Sequence, residues 1–159
     1  MKRLLLAVAL ALGALAATAG ELRLFTGDSL PAIQQQFAGR PFILTLWSLT
    51  CHHCAKELQT LGKLARSERN LPLVIVSTDT PNDARELRAA LKRHGLDRLD
   101  TWVFADAVPE RLRYAIDPAW RGELPRSYLF DVAHRREAHS GLLNEAQLKA
   151  WLNRQRAGG

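Results

Sequence analysis

Cys51 and Cys54 are the only cysteines in a chain of 159 residues, and they stand three apart in Trp47-Ser48-Leu49-Thr50-Cys51-His52-His53-Cys54-Ala55-Lys56-Glu57. A thiol pair at this spacing can exchange disulfides, close an inert disulfide ring or supply two soft ligands to a metal. The apolar run from Phe42 to Trp47 reads as a buried strand, and Ala55, Leu58, Leu61, Leu64 and Ala65 share one helical face. The pattern therefore predicts a strand that turns into a helix at the motif, with Cys51 at the helix N-terminus and Cys54 one turn in. Free N–H groups and the partial positive charge at a helix start favour a thiolate, which is the species that attacks disulfides. His52 and His53 can add hydrogen bonds, or positive charge when protonated, to the Cys51 sulfur. Cys54, shielded beneath, would resolve the mixed disulfide.

The two other chemistries fit less well. A ring closed by residues three apart removes little chain entropy, so an inert staple gains little here. A zinc site needs about four ligands, and no second Cys-x-x-Cys or His-x-x-x-His pair completes one. A copper carrier using Cys51, Cys54, His52 or His53 suits soft thiolates and imidazoles. Against it, the only methionine is Met1. His94, His134 and His139 stand apart from the motif in polar surroundings and read as surface or turn residues.

The elements that must position the motif can be traced along the chain. Lys2 and Arg3 precede an apolar run from Leu4 to Ala17, and Ala17-Thr18-Ala19 supplies a small-residue cleavage signal before Gly20. Residues 1–19 therefore read as a secretory signal peptide, and residues 20–159 as one domain. An uncleaved N-terminal anchor is the alternative, although the apolar run is short for a membrane span. No cysteine lies near the cleavage region, which excludes a lipoprotein. Export to an oxidising compartment, the periplasm of a bacterium, is where disulfide chemistry persists. Lys2 and Arg3 account for two of the six net positive charges, leaving +4 on the remainder. The arginines are scattered along helix faces without any nucleic-acid-binding motif, so no nucleic-acid partner is expected. No dimerisation segment stands out, and the expected state is a monomer.

Leu22–Phe25 reads as a short strand, Ser29 to Phe37 as a helix with Pro31 in its first turn, and Leu73–Ser77 as a second buried strand. The helix after Cys51 should run to about Arg69. Thr80, with Pro81 and Asp83, has the form of a capped helix start, and Gly95 marks its end. Thr101–Phe104 reads as a strand, and Asp106 as the cap of a brief helix through Tyr114. Pro125 enters an apolar strand ending at Asp131, His134-Arg135 makes a turn, and residues 136–140 pair back as a hairpin. Asn144 and Gln147 cap a last helix, with Leu143 and Leu148 as its staple. Two βαβ-like crossovers and a hairpin give an α/β fold: a mixed central sheet with helices on both faces, in three layers.

These landmarks, in this order, resemble the thioredoxin superfamily, and within it the exported TlpA/ResA-like branch that includes the cytochrome c maturation reductases. The likeness rests on Gly39-Arg40-Pro41 before the strand, on Trp47-Ser48-x-x-Cys51-x-x-Cys54, on Glu57 three residues further, and on Leu124-Pro125 six residues before Asp131. The segment from Thr80 to Pro118 resembles the branch's central insertion. The resemblance implies a thioredoxin-like fold, Cys51 as nucleophile and Cys54 as resolving thiol. It implies Glu57 as a buried or half-buried acid that moves protons, and a cis Pro125 packed near the sulfurs. Leu124 would offer its backbone to a bound substrate strand, and Trp47 would flank the same site. It implies protein thiols and disulfides as substrates, a membrane thiol–disulfide electron donor as partner, and no bound cofactor. The sequence departs from the family at Thr50, where Trp is common, at the dipeptide His52-His53, and at Thr45, where thioredoxin itself carries a buried acid. A His before the second cysteine is shared with the oxidant DsbA, so the scaffold argues for a reductase and the dipeptide for an oxidant. A redox-inert interaction domain is the reading disfavoured by the two intact cysteines.

Overall fold

The computed structural model describes residues 20–68 and 70–158; the expected signal peptide, residues 1–19, lies outside them. Six strands form one mixed sheet: β1 (Leu22–Phe25), β2 (Phe42–Trp47), β3 (Leu73–Ser77), β4 (Thr101–Phe104), β5 (Arg126–Phe130) and β6 (Arg136–Ser140). Their order is β1-β4-β3-β2-β5-β6. β1, β4, β3 and β2 pair in parallel, and β5 and β6 complete the sheet antiparallel. Five helices connect them: α1 (Ser29–Gln36), α2 (Cys54–Ser67), α3 (Ala84–Arg93), α4 (Pro109–Ile116) and α5 (Glu145–Ala157).

The sheet is covered on both faces. α2, α3 and α5 pack on one face through Leu58, Leu61, Leu87, Leu91 and Trp151, where they meet Ile43 and Trp47 of β2. α1 and α4 pack on the other through Ile33, Leu112 and Ile116, against Phe42, Leu44 and Leu46. Successive strand residues point to opposite faces, so a strand buried on both sides reads as an unbroken apolar run. That is why β2 and β3 were visible in the sequence.

Thr45 is the polar exception in β2. It is fully buried, and its Oγ1 lies 3.0 Å from Ser127 Oγ, its cross-strand partner in β5. A hydroxyl pair thus occupies the place where thioredoxin keeps an acid, and no charge is buried there.

Several boundaries differ from the sequence expectation. α2 starts at Cys54 rather than Cys51, because residues 48–53 are held in a turn by contacts described below, and it ends at Ser67. Thr80 opens a 3-10 turn, Pro81–Asp83, before α3; the Asp83 carboxylate accepts from both the N–H and the hydroxyl of Thr80. Asp106 does not cap α4 directly. It accepts from the Val108 N–H at 2.7 Å, and the helix starts at Pro109, which has no N–H to leave unpaired. The hairpin and the Asn144–Gln147 capping box of α5 form as expected.

Candidate active site

Cys51 and Cys54 are joined in a disulfide at the C-terminal end of β2. Cys54 is fully buried as the first residue of α2, while Cys51 is half-buried in the turn ahead of it. The Cys54 N–H donates to Cys51 Sγ at 3.2 Å. Cys51 is therefore not itself in the helix; the Cys54 N–H at the helix start is shared between the Cys51 carbonyl oxygen and Cys51 Sγ, 3.2 Å from each, and an N–H donor held on a sulfur favours the thiolate over the thiol.

The turn before Cys51 is fastened to β3. Asp79, just past the end of that strand, accepts from Ser48 Oγ and the Leu49 N–H at 2.9 Å each, and from Ser77 Oγ at 2.6 Å. Ser48 Oγ in turn lies 3.0 Å from Thr50 Oγ1. These contacts join residues about thirty apart in the chain, so sequence reasoning passed over Asp79. The available signal was an acidic residue directly after the strand that neighbours the motif strand.

His52 and His53 are both exposed, with ring centroids 5.3 Å apart and planes crossed at 78°. Among the described residues neither imidazole hydrogen-bonds the Cys51 sulfur, so of the two contributions open to them from the sequence, a hydrogen bond or charge when protonated, the hydrogen bond is not made in the disulfide form. Among the described residues no group of three or more His, Cys, Asp or Glu is arranged to hold a metal ion.

Glu57 is fully buried one helical turn beyond Cys54, a spacing that puts the two on the same face of α2. Its Oε2 accepts the Leu143 N–H at 3.0 Å, and its Oε1 has no partner. Burial pushes the carboxyl pKa up to about 7, against a smaller lowering by the Leu143 bond.

The Leu124–Pro125 peptide bond is cis. The register pair Leu46–Arg126 closes the β2–β5 ladder, so Pro125 stands one step beyond it, beside Trp47 at the end of β2 that leads to Cys51. Pro125 and Trp47 are buried, whereas Leu124 is half-buried. The backbone ahead of this bond is braced. Trp120 Nε1 donates to the Glu123 carbonyl at 2.9 Å, and Arg126 bridges Glu123 and Asp117 at 3.2 and 3.1 Å.

His94 corrects the sequence reading that set it apart from the motif. It is half-buried at the C-terminal end of α3 and lines, with Arg93, Trp47 and Leu49, a cavity of about 70 Å³ that also opens on Cys51. Burial first, then the neighbouring Arg93 charge, lowers its pKa. α3 comes this close because Gly62 of α2 lacks a side chain: a Cβ there would stand 1.9 Å from the His94 carbonyl oxygen. His134 does sit in the hairpin turn, with its ring edge-on to Phe42. His139 lies on β6, with Nε2 3.2 Å from the Leu142 carbonyl.

A mixed sheet of this order, helices on both faces, a Cys-x-x-Cys turn ahead of a helix and a cis-proline opposite it define the thioredoxin fold. Solved structures agree. The chain superimposes on a secreted Mycobacterium tuberculosis disulfide oxidoreductase homologous to E. coli DsbE, with TM-score 0.60 and 15% identity, over 76% of this chain and 85% of that one. It superimposes on StoA from Bacillus subtilis with TM-score 0.54 and 21% identity, over 72% and 84% of the two chains. A thioredoxin-related protein from Neisseria meningitidis serogroup B matches with TM-score 0.60 and 19% identity, over 74% and 85%. No family model and no curated protein matches the sequence.

Proposed function

We propose that this protein is an exported thiol–disulfide oxidoreductase acting on protein disulfides, in the direction of reduction. The observation that carries the reading is the asymmetry of the cysteine pair: a half-exposed Cys51 sulfur that accepts the Cys54 N–H, above a fully buried Cys54. In the reduced protein the Cys51 thiolate attacks one sulfur of a substrate disulfide. A Cys51–substrate disulfide forms, and the other substrate sulfur leaves as a thiolate that takes up a proton. Cys54 then loses its proton and attacks Cys51 Sγ, releasing the second substrate thiol and closing the Cys51–Cys54 disulfide. Two electrons pass from the protein to the substrate.

Glu57 is the group suited to receive the Cys54 proton, since it shares the buried face of α2 and titrates near neutrality. The Leu124 backbone, one residue before Pro125 and outside the β2–β5 ladder, is suited to bind an extended substrate segment, with Trp47 and Pro125 beside it. The chain must be re-reduced after each turnover, which calls for a membrane thiol–disulfide donor and a periplasmic site of action. The secreted relative in the comparison supports that location, and among the described residues no helix is long and apolar enough to cross a membrane.

The competing direction, an oxidant of the DsbA kind, is favoured by one observation: His52 and His53 are exposed directly after Cys51, where an imidazole, when protonated, would stabilise the thiolate. The reduction potential of the Cys51–Cys54 couple, equilibrated against glutathione, separates the two. A value near about −270 mV or below supports the reductase, and a value near about −120 mV overturns it in favour of the oxidant. Metal titration of the reduced protein tests the carrier: tight stoichiometric binding without disulfide reduction would replace both readings.

A further inference from the structure

The surface around Cys51 carries a charge pattern that the exchange chemistry itself does not require. On one side, Arg93 and His94 line the cavity that opens on Cys51. On the other, His52, His53 and Lys56 are exposed on the turn and first helical turn that follow it. Among the described residues the side chains of Arg93 and Lys56 are exposed and make no ion pair or hydrogen bond within the chain, so both charges are available to a partner.

The nearby carboxylates are already engaged within the chain. Glu57 is fully buried, and Asp79 is occupied by Ser48, Leu49 and Ser77. On the cis-proline side Glu123 is held by Arg126 and Ser140. The sulfur thus sits between two free cations, Arg93 and Lys56, and the imidazoles of His94, His52 and His53, which can donate hydrogen bonds to a carboxylate without being charged, over an apolar floor of Trp47, Leu49 and Ala90. Unpaired cations beside a reactive centre steer partners of opposite charge and repel those of like charge.

We propose that the protein substrate presents its disulfide on an acidic segment, with Asp or Glu flanking the reacting cysteine and engaged by Arg93 and His94 on one side and by His52, His53 and Lys56 on the other. This rests on the exchange reaction proposed above and names its substrate class.

The test uses the dithiol form of the full chain and three synthetic peptides, each with one internal disulfide whose cysteines are flanked by Asp, Ser or Lys. Reduction of each peptide is followed chromatographically. At low ionic strength the Asp peptide is expected to be reduced about tenfold faster than the Lys peptide. The gap should close at 1 M salt, where the screening length falls to about 3 Å. The double variant Arg93→Glu with Lys56→Glu should reverse the order. The ratio of the two peptides cancels any effect of these changes on the thiolate itself.

Equal rates for the Asp and Lys peptides, or a gap that survives 1 M salt, overturn the proposal while reduction of the Ser peptide leaves the exchange reading standing. If none of the three peptides is reduced, the exchange reading falls and the proposal with it. The salt comparison on the unaltered chain decides the matter even if the double variant does not fold.

Discussion

Among the described residues two carboxylates are buried, Glu57 and Asp117, and they are set in opposite states. Glu57, on the α2 face of the sheet, has one hydrogen bond and one oxygen without a partner, and burial lifts its pKa to about 7. Asp117, at the end of α4, is nearly as inaccessible. It nevertheless accepts from the Ala119 N–H, from the Tyr128 hydroxyl at 3.0 Å, and from Arg126 and Arg136 at 3.1 Å each. Burial alone would raise its pKa; the hydrogen bonds and guanidinium charges outweigh it and hold the carboxyl below its ordinary range. Tyr128 stays a neutral donor, because burial pushes its phenol up to about 12. Burial makes a carboxylate expensive, and its partners decide whether it stays charged. One site is left poised to exchange a proton; the other is a fixed brace behind the cis-proline segment.

The largest effect expected from breaking this contrast is at Asp117. Asp117→Ala leaves the Tyr128 phenol without its acceptor and removes one of the acceptors of Arg126 and of Arg136, and should lower the unfolding free energy by about 2–4 kcal/mol in a denaturant titration. A loss under 1 kcal/mol would show that the cluster does not act as a unit.

Glu57 should respond with the opposite sign. Its folded pKa, about 7, lies above its ordinary value of 4.5. Its contribution is therefore fully present below pH 4.5 and lost as pH rises through about 7. Glu57→Gln keeps an acceptor for the Leu143 N–H and removes the buried charge. At pH 8 it should be more stable than the unaltered chain by roughly 3 kcal/mol at most, with the stability slope between pH 5 and 7 flattened. The same variant should slow disulfide exchange. An unchanged pH slope would mean that Glu57 is not the group titrating there. Asp117, with its lowered pKa, should instead affect stability only as the pH falls below its ordinary value of 3.8.

Gly62→Ala tests the approach of α3 to Cys51. In an exposed helix the change would stabilise by about 1 kcal/mol. Here the new methyl meets the His94 carbonyl, and a loss of about 1–3 kcal/mol is expected. A gain in melting temperature would show that α3 can move away without cost. The smallest effect belongs to Tyr128→Phe, which removes one of the bonds to Asp117 and should cost about 1.5 kcal/mol. If it costs nothing, the two arginines alone hold the carboxylate.

Most of the fold was legible because its signals are local. β2 and β3 are apolar runs, α5 has a capping pair at Asn144 and Gln147, and the β5–β6 hairpin turns at His134. The cysteine pair was legible from its own spacing, and Glu57 and Leu124-Pro125 by resemblance; the structure places Cys51 and Pro125 at the same end of β2. What escaped was held by distant contacts. The helix start moved from Cys51 to Cys54 because Asp79, from another strand, holds the turn. His94 read as a surface residue because nothing within its own helix shows that Gly62 lets α3 close on the cavity beside Cys51.

Residue type and spacing thus determined, by themselves, which thiols could do the chemistry: a Cys-x-x-Cys pair at a strand–helix junction. Only the tertiary structure decided how each group is tuned. A pKa depends on desolvation and on the partners within a few ångströms, and for Glu57 and Asp117 those surroundings include groups from other elements of the chain: the Leu143 N–H for the first, Tyr128, Arg126 and Arg136 for the second.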